Sequence, residues 1–406
     1  MKQIFAHYPT QVDLTSTEHL ELLKRAVNEI LTKIKDRPEI EKTEQEILSS
    51  DTNLPIFSLL ALKLAKSILI IDEIKEPVFV SVVFAVYKEH NRIMKNSDHP
   101  HGEDFLLRKI SQMEWLFNRN KNINWQLIVV DDGCPEDSGQ IAKKIIHEYG
   151  LESRARVVFL QDAIDKSLDI ISSLESTSDS QKGGSIIYGM WDAIQQSDHK
   201  NHIVVYTDAD LSTHLGQLGL LLEPILFNEK HVSIGSRREK DSVVIKKGSR
   251  NNRGKLFIYL WKRLIPNLGE IIDTQCGFKA FTKEILHDIL KDLIERKFAF
   301  DIELLLKSEI KVINSIAKVA IAWIDSEAAS TTSDIQPYLP MLKSIVKMNR
   351  KYFTGDFSSI EFANLIDDLD EAAFNHLLEH IPEDITSREP YEFNEFKGVT
   401  AKDLSL

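Results

Sequence analysis

This chain predicts an α/β protein with a mostly parallel central sheet flanked by helices, and three observations carry the expectation. Five short runs rich in β-branched and aromatic residues follow one another: VFVSVVFAVY (78–87), WQLIVVDDG (125–133), ARVVFLQ (155–161), HIVVYTDAD (202–210) and HVSIGSR (231–237). Helical segments such as DSGQIAKKIIHEYG and GGSIIYGMWDAIQQS lie between them, and strands that alternate with helices form parallel sheets. Two of the runs end on paired carboxylates, Asp131-Asp132 and Asp208-Ala209-Asp210, at the strand ends where such sheets bind ligands.

Taken in order, residues 1–75 read as a helical N-terminal extension. STEHLELLKRAVNEILTKI offers Ser16 or Thr17 as N-cap and a stripe of Leu20, Leu22, Leu23, Val27, Ile30 and Leu31. The apolar run Leu54–Ile71 is broken by Lys63 and Lys66, so it reads as a packed helix and not as a membrane span. The α/β domain is placed at 76–335. Its crossover from Asn91 to Asn124 is long, with a helical middle marked by Phe105, Leu106, Ile110, Met113, Leu116 and Phe117. The Ser/Asp-rich stretch 165–184 reads as a mobile loop. Helical patterns return over 336–406, with the last twenty residues weakly ordered, and no internal repeat is present.

Composition narrows the function. With 406 residues, 43% hydrophobic and 28% charged, the chain is long enough for a real core. A net charge of −12 argues against a general nucleic-acid binder. The two cysteines, Cys134 and Cys276, make no disulfide framework and fit a reducing compartment. The N-terminus lacks the basic-then-apolar form of a secretion signal, so the expectation is a cytoplasmic protein without a transmembrane segment.

The acidic strand ends suggest chemistry. Asp208 and Asp210, two apart, share a face of a strand and converge on one hard cation such as Mg2+ or Mn2+, whose shell a substrate diphosphate completes. The bland alternative is an Asx-capped turn. Asp131 and Asp132 suit the imide N–H of uracil, with Gly133 making the turn. Asp137 or Ser138 caps the next helix, and the earlier pair sits too early to do so. Lys182-Gly183-Gly184 puts a cation and pliant backbone at a helix start, which suits diphosphate. The basic run of Arg237, Arg238, Lys240, Lys246, Lys247, Arg250, Arg253 and Lys255 is either a phosphate clamp or a solvated helix face. In DTQCGFKAF, Asp273 is a candidate general base or positioning group, and Cys276 reads as a buried structural thiol. Asp301 and Glu303 either line an acceptor site or favour a helix dipole.

Together VVFAVYKEHNRI, IVVDDG, KGGSIIYGM, VVYTDADLST, IGSRR, DTQCGFKAF and FDIELL, in this order, resemble the family 2 glycosyltransferases with the GT-A fold. The likeness is nearest to the branch that glycosylates dolichyl and other polyprenyl phosphates, and it spans Val78 to Ser333. It implies inverting, metal-dependent transfer of a hexose from a nucleotide-sugar, UDP-glucose before GDP-mannose. It also implies roles: Tyr87 and Glu89 beside the nucleotide, Asp131 and Asp132 at the base, Lys182 and Arg237 at the diphosphate, and Asp208 and Asp210 as the DXD metal site. Asp273 and Gln275 fall on the catalytic acceptor side, and Trp323 matches a tryptophan near the end of the domain. The chain departs from the family pattern at Ala85 (usually Pro), Lys88 (usually Asn), Ala328-Ala329-Ser330 and the 91–124 insert. The acceptor is left open among a polyprenyl phosphate reached by peripheral membrane contact, a soluble glycoside and a protein. A non-catalytic domain that binds nucleotide-sugar and engages a protein partner is the alternative from another class. A nucleotidyltransferase is set aside because AVYKEHNRI has no glycine.

Overall fold

The strand Val78–Val86 (β1) pairs in parallel with Ile123–Asp131 (β2) on one side and His202–Thr207 (β4) on the other, and a seven-stranded sheet grows outward from it. The computed structural model describes residues 5, 7–50, 55–245, 251–325, 337–353 and 357–405. Ala155–Phe159 (β3) continues the sheet beyond β2. On the far side come Phe278–Thr282 (β7), Val232–Ser236 (β5) and Ile316–Ala320 (β8), in the order β3-β2-β1-β4-β7-β5-β8. Only β7 runs antiparallel to its neighbours β4 and β5, so the sheet is mostly parallel, as expected. Val243–Ile245 (β6) and Ala322–Ile324 (β9) form a small parallel pair of their own.

Alternation along the strands sends side chains to two cores. Val80, Val82, Phe84 and Val86 of β1 face the first. Thr17–Lys33 (α1), Arg37–Ser50 (α2), Ile56–Glu73 (α3), Phe105–Phe117 (α4) and Ser138–Glu148 (α5) contribute to it. Ser16 caps α1, accepting a hydrogen bond from the backbone N–H of His19. The lysines that interrupt the α3 pattern have partners: Lys63, fully enclosed, pairs with Glu44 at 2.7 Å and Lys66 with Glu41. Val83 faces the second core, with Leu160–Asp165 (α6), Gly183–Gln195 (α7), Asn251–Leu264 (α9), Lys283–Ile289 (α10), Phe300–Lys311 (α11), Tyr338–Tyr352 (α12), Phe357–Asp368 (α13), Glu371–Glu379 (α14) and Glu383–Thr386 (α15). Leu218–Phe227 (α8), with Pro224 inside it, lies on the first side.

Two expectations need correction. The 165–184 stretch forms two short 3-10 turns, Asp169–Ile171 and Thr177–Asp179, and buries Ile171 and Leu174. Apolar anchors and a capping box at Ser176 hold it. The last twenty residues are pinned by buried Phe393, Val399 and Leu404, and Tyr259 donates a 2.6 Å hydrogen bond to the Val399 carbonyl. Lys246, Lys247 and Arg250 of the basic run, and Ala328-Ala329-Ser330, lie outside the described residues. Among the described residues no helix is long and apolar enough to cross a membrane.

Candidate active site

The carboxyl ends of β1, β2 and β4 meet the start of α7 and the 273–277 turn, and the charged residues singled out above gather on that edge. β4 ends at Thr207, so Asp208 is the first residue past the strand. Its backbone N–H donates to the Gly277 carbonyl at 3.2 Å, which ties the acidic turn to the DTQCG segment. A Cβ on Gly277 would stand 2.4 Å from both Asp208 carboxylate oxygens, so this close approach requires glycine. The Asp208 carboxylate accepts from the Lys182 ammonium. Partial burial pushes the Asp208 carboxyl up, but Lys182 outweighs it and holds the group below its ordinary value. Asp210 accepts from the backbone N–H of Ser212 at 3.0 Å, so the Asx turn of the bland reading is present too.

Two pairs flank this turn. Arg237, at the end of β5, grips buried Asp273 three times: Nε and the backbone N–H at 2.8 Å to one oxygen, and a terminal nitrogen at 2.7 Å to the other. Burial pushes Asp273 up, but the guanidinium wins and holds it down at about 2. The Arg237 guanidinium also lies 5.4 Å from the Trp323 ring. On the β1 side Glu89 is buried against Arg92 at 3.2 Å, and Arg92 in turn holds Glu103 at 3.0 Å. Burial raises Glu89 to about 7 against the pull of Arg92. Tyr87 is 48% exposed on the same edge, with the Lys88 ammonium 5.5 Å from its ring.

The second acidic tip is built differently from its expectation. One Asp131 oxygen accepts from the N–H groups of Gly133 and Cys134, both at 3.0 Å, and the other accepts from Gly139 at 2.8 Å. Asp131 therefore caps α5. Asp137 occupies the cap position without a side-chain bond, and Ser138 accepts instead from the Glu89 N–H. Asp132 accepts from the Lys182 N–H at 2.8 Å and from the Ser185 hydroxyl at 2.5 Å, so it holds the chain where it enters α7. Both residues act at helix starts after all, because the chain turns back sharply at Gly133, which has φ +70°. The pliant-backbone reading of Gly183 and Gly184 also changes. A Cβ on Gly183 would meet the Arg296 and Lys297 carbonyls at about 2.5 Å, and the Gly184 N–H donates to the Arg296 carbonyl. The amides of Lys182, Gly184 and Ser185 are thus spent within the protein, which leaves the Lys182 side chain to meet an anion.

Among the described residues, no group of three or more His, Cys, Asp or Glu is arranged to hold a metal ion. Asp208 and Asp210 still fit one. They are hard oxygen donors, a cation already rests on Asp208, and two carboxylates suffice where substrate phosphates and water complete the shell.

No protein-family model matches the chain. It is 27% identical over 286 residues to the dolichyl-phosphate beta-glucosyltransferase of Homo sapiens, covering 68% of this chain and 76% of that one. To the enzyme of the same name from Saccharomyces cerevisiae it is 24% identical over 294 residues, covering 69% and 77%. The chain is a glycosyltransferase, similar over about two thirds of its length to the dolichyl-phosphate beta-glucosyltransferases. Among solved structures it is similar to glucosyl-3-phosphoglycerate synthase from Mycobacterium tuberculosis, at 17% identity and a TM-score of 0.47, covering 73% of this chain and 86% of that one.

In this glycosyltransferase several residues at the edge have roles that the sequence motifs did not reveal. Lys109 of α4 is fully buried, and its ammonium donates to the Asp210 carbonyl at 2.7 Å. Burial lowers it to about 8. The long insert thus holds the acidic turn in place. The sequence does carry a signal for it: Lys109 sits four residues after Phe105 and four before Met113, on the apolar stripe. Lys279 of β7, also fully buried, pairs with Asp301 at 2.9 Å and donates to the Cys276 carbonyl. Burial lowers Lys279 and raises Asp301, each to about 8. Glu303 is structural: it accepts from the backbone N–H groups of Ile294 and Glu295 and from the Tyr352 hydroxyl. Burial pushes the Cys276 thiol up to about 12, in keeping with a structural role. Gln275 directs an amide nitrogen inward that has no partner among the described residues.

Proposed function

We propose that this glycosyltransferase moves a hexose, with inversion, from a nucleotide-sugar (UDP-glucose first, GDP-mannose second) to a polyprenyl phosphate. The observation that carries the reading is the acidic turn Asp208-Ala209-Asp210 at the carboxyl end of β4, with Lys182 already on its first carboxylate. Asp208 and Asp210 would hold Mg2+ or Mn2+, which when bound supplies positive charge against the departing diphosphate. Lys182 and Arg237 add charge at the same oxygens once each lets go of its carboxylate. Tyr87 offers an exposed ring to the nucleotide, and Glu89 orders the same edge through Arg92.

A phosphate acceptor agrees with the state of Asp273. A carboxylate held at about 2 by a guanidinium is a weak base, and the geometry suits positioning of Arg237. A phosphate oxygen is already ionised and needs no base: it attacks C1 of the sugar as the C1–O bond to the diphosphate breaks and the nucleoside diphosphate leaves. The relatives named above are dolichyl-phosphate glucosyltransferases, which points to the same acceptor class. The chemistry is assigned to residues 76–335, with 1–75 and 336–406 as helical extensions.

The test is a thermal-shift screen of UDP-, GDP- and dTDP-sugars with and without Mn2+, followed by transfer of labelled glucose to dolichyl phosphate. Metal-dependent stabilisation by UDP-glucose and a labelled lipid product are expected. Full turnover in Asp210→Asn, or in excess EDTA, would defeat the metal assignment.

A further inference from the structure

A cavity of about 440 Å3 opens where the 173–179 turn, the 294–297 loop and α12 meet. It lies beside the start of α7, since the Arg296 carbonyl in its wall takes the Gly184 N–H. Four cationic side chains line it: Arg296, Lys297, Lys343 and Lys347. Two acids do so as well, but both are engaged. One Asp179 oxygen accepts from the N–H groups of Glu175 and Ser176, and Glu295 accepts from the Lys297 N–H.

The cations are not engaged in that way. Lys297, Lys343 and Lys347 have no side-chain partner among the described residues, although Lys343 and Lys347 are one turn apart on α12 and repel each other. Arg296 is 8% exposed, so its guanidinium is removed from water. Its terminal nitrogens donate only to the carbonyls of Glu295 and Ile170, and its Nε has no partner. Burial lowers the Arg296 guanidinium despite the nearby Glu303 and Glu295 carboxylates, neither of which forms an ion pair with it among the described residues, and with three unpaired ammonium groups lining the same cavity its cations are in excess.

We propose that this cavity binds a phosphate group, with Lys297, Lys343 and Lys347 as its cations and Arg296 at its wall. None of its lining residues belongs to the strand-end site, so the proposal stands whatever the donor sugar proves to be. The phosphate belongs either to a small soluble molecule or to a lipid headgroup.

The experiment uses the full chain without metal or nucleotide. Inorganic phosphate is titrated in by calorimetry, and flotation is measured with phosphatidylcholine vesicles with and without phosphatidic acid. Saturable binding is expected in at least one arm, weakened about tenfold or more in K343Q/K347Q and also reduced in K297Q, but kept in K182Q. The arm that responds identifies the source. Binding in neither arm, equal binding by wild type and K343Q/K347Q, or loss in K182Q alone would overturn the proposal. Unchanged melting of the variants excludes unfolding as the cause.

Discussion

The Lys182 ammonium rests on the Asp208 carboxylate across the gap between the start of α7 and the end of β4. An ammonium on that oxygen competes with any divalent cation for the same lone pairs. Lys182→Gln is therefore expected to tighten Mn2+ binding in the absence of donor by about fivefold, the worth of a partly exposed ion pair. The same variant should lose turnover, because the cation that meets the diphosphate is gone. Calorimetric Mn2+ titration and donor turnover, measured side by side, check the opposite signs. Asp208→Asn should lose both metal affinity and turnover.

Gly277 lets Asp208 approach the 273–277 turn, and its backbone is not in the left-handed region, so alanine fits its backbone conformation. What alanine adds is a Cβ 2.4 Å from the Asp208 oxygens. The carboxylate must swing away. Gly277→Ala is expected to keep its fold by circular dichroism and to lose turnover, by up to about 100-fold for a displacement near 1 Å.

Much of this edge is legible in the residues alone, for a physical reason. Parallel strands announce themselves as apolar runs, and a carboxylate ending such a run is conspicuous, so Asp208 and Asp210 stand out. β7 does not, because FKAFT is five residues long and carries the buried Lys279, which its pairing with Asp301 and its bond to the Cys276 carbonyl make tolerable. Lys109 is hidden the same way, as a charge on an apolar stripe whose partner is a backbone carbonyl about a hundred residues on. The roles of Asp131 and Asp132 depend on how tightly the chain turns at Gly133, which sequence spacing does not reveal.

Asp273 gives a pH signature. Its carboxyl is held at about 2 in the folded chain, against an ordinary 3.8. A depressed carboxylate adds stability above its unfolded value and loses it as the pH falls through the folded one. The contribution is complete above about pH 4 and declines toward pH 2. Asp273→Asn should cost roughly 1.5–3 kcal/mol at neutral pH, as a hydrogen bond to a charged group does. The difference from wild type should shrink on acidification. Denaturant unfolding at several pH values measures it, and a penalty that stays constant down to pH 2 would rule out the ion pair as its source.

Lys88 offers the last test. It follows β1 at φ +58°, in the left-handed region, where a long side chain is disfavoured and Asn is at ease. Its backbone N–H donates to the Cys134 sulfur at 3.1 Å, which fixes that conformation whatever the side chain. The Asn usual at this position in family 2 thus has a backbone reason. Lys88→Asn is expected to stabilise the chain by about 1 kcal/mol, the cost of holding one ordinary residue in that region. The midpoint of urea unfolding should rise with its slope unchanged. If it does not, the Lys88 ammonium near the Tyr87 ring is offsetting the backbone strain, and Tyr87→Leu, which removes the ring and leaves the strain, should then fall below wild type.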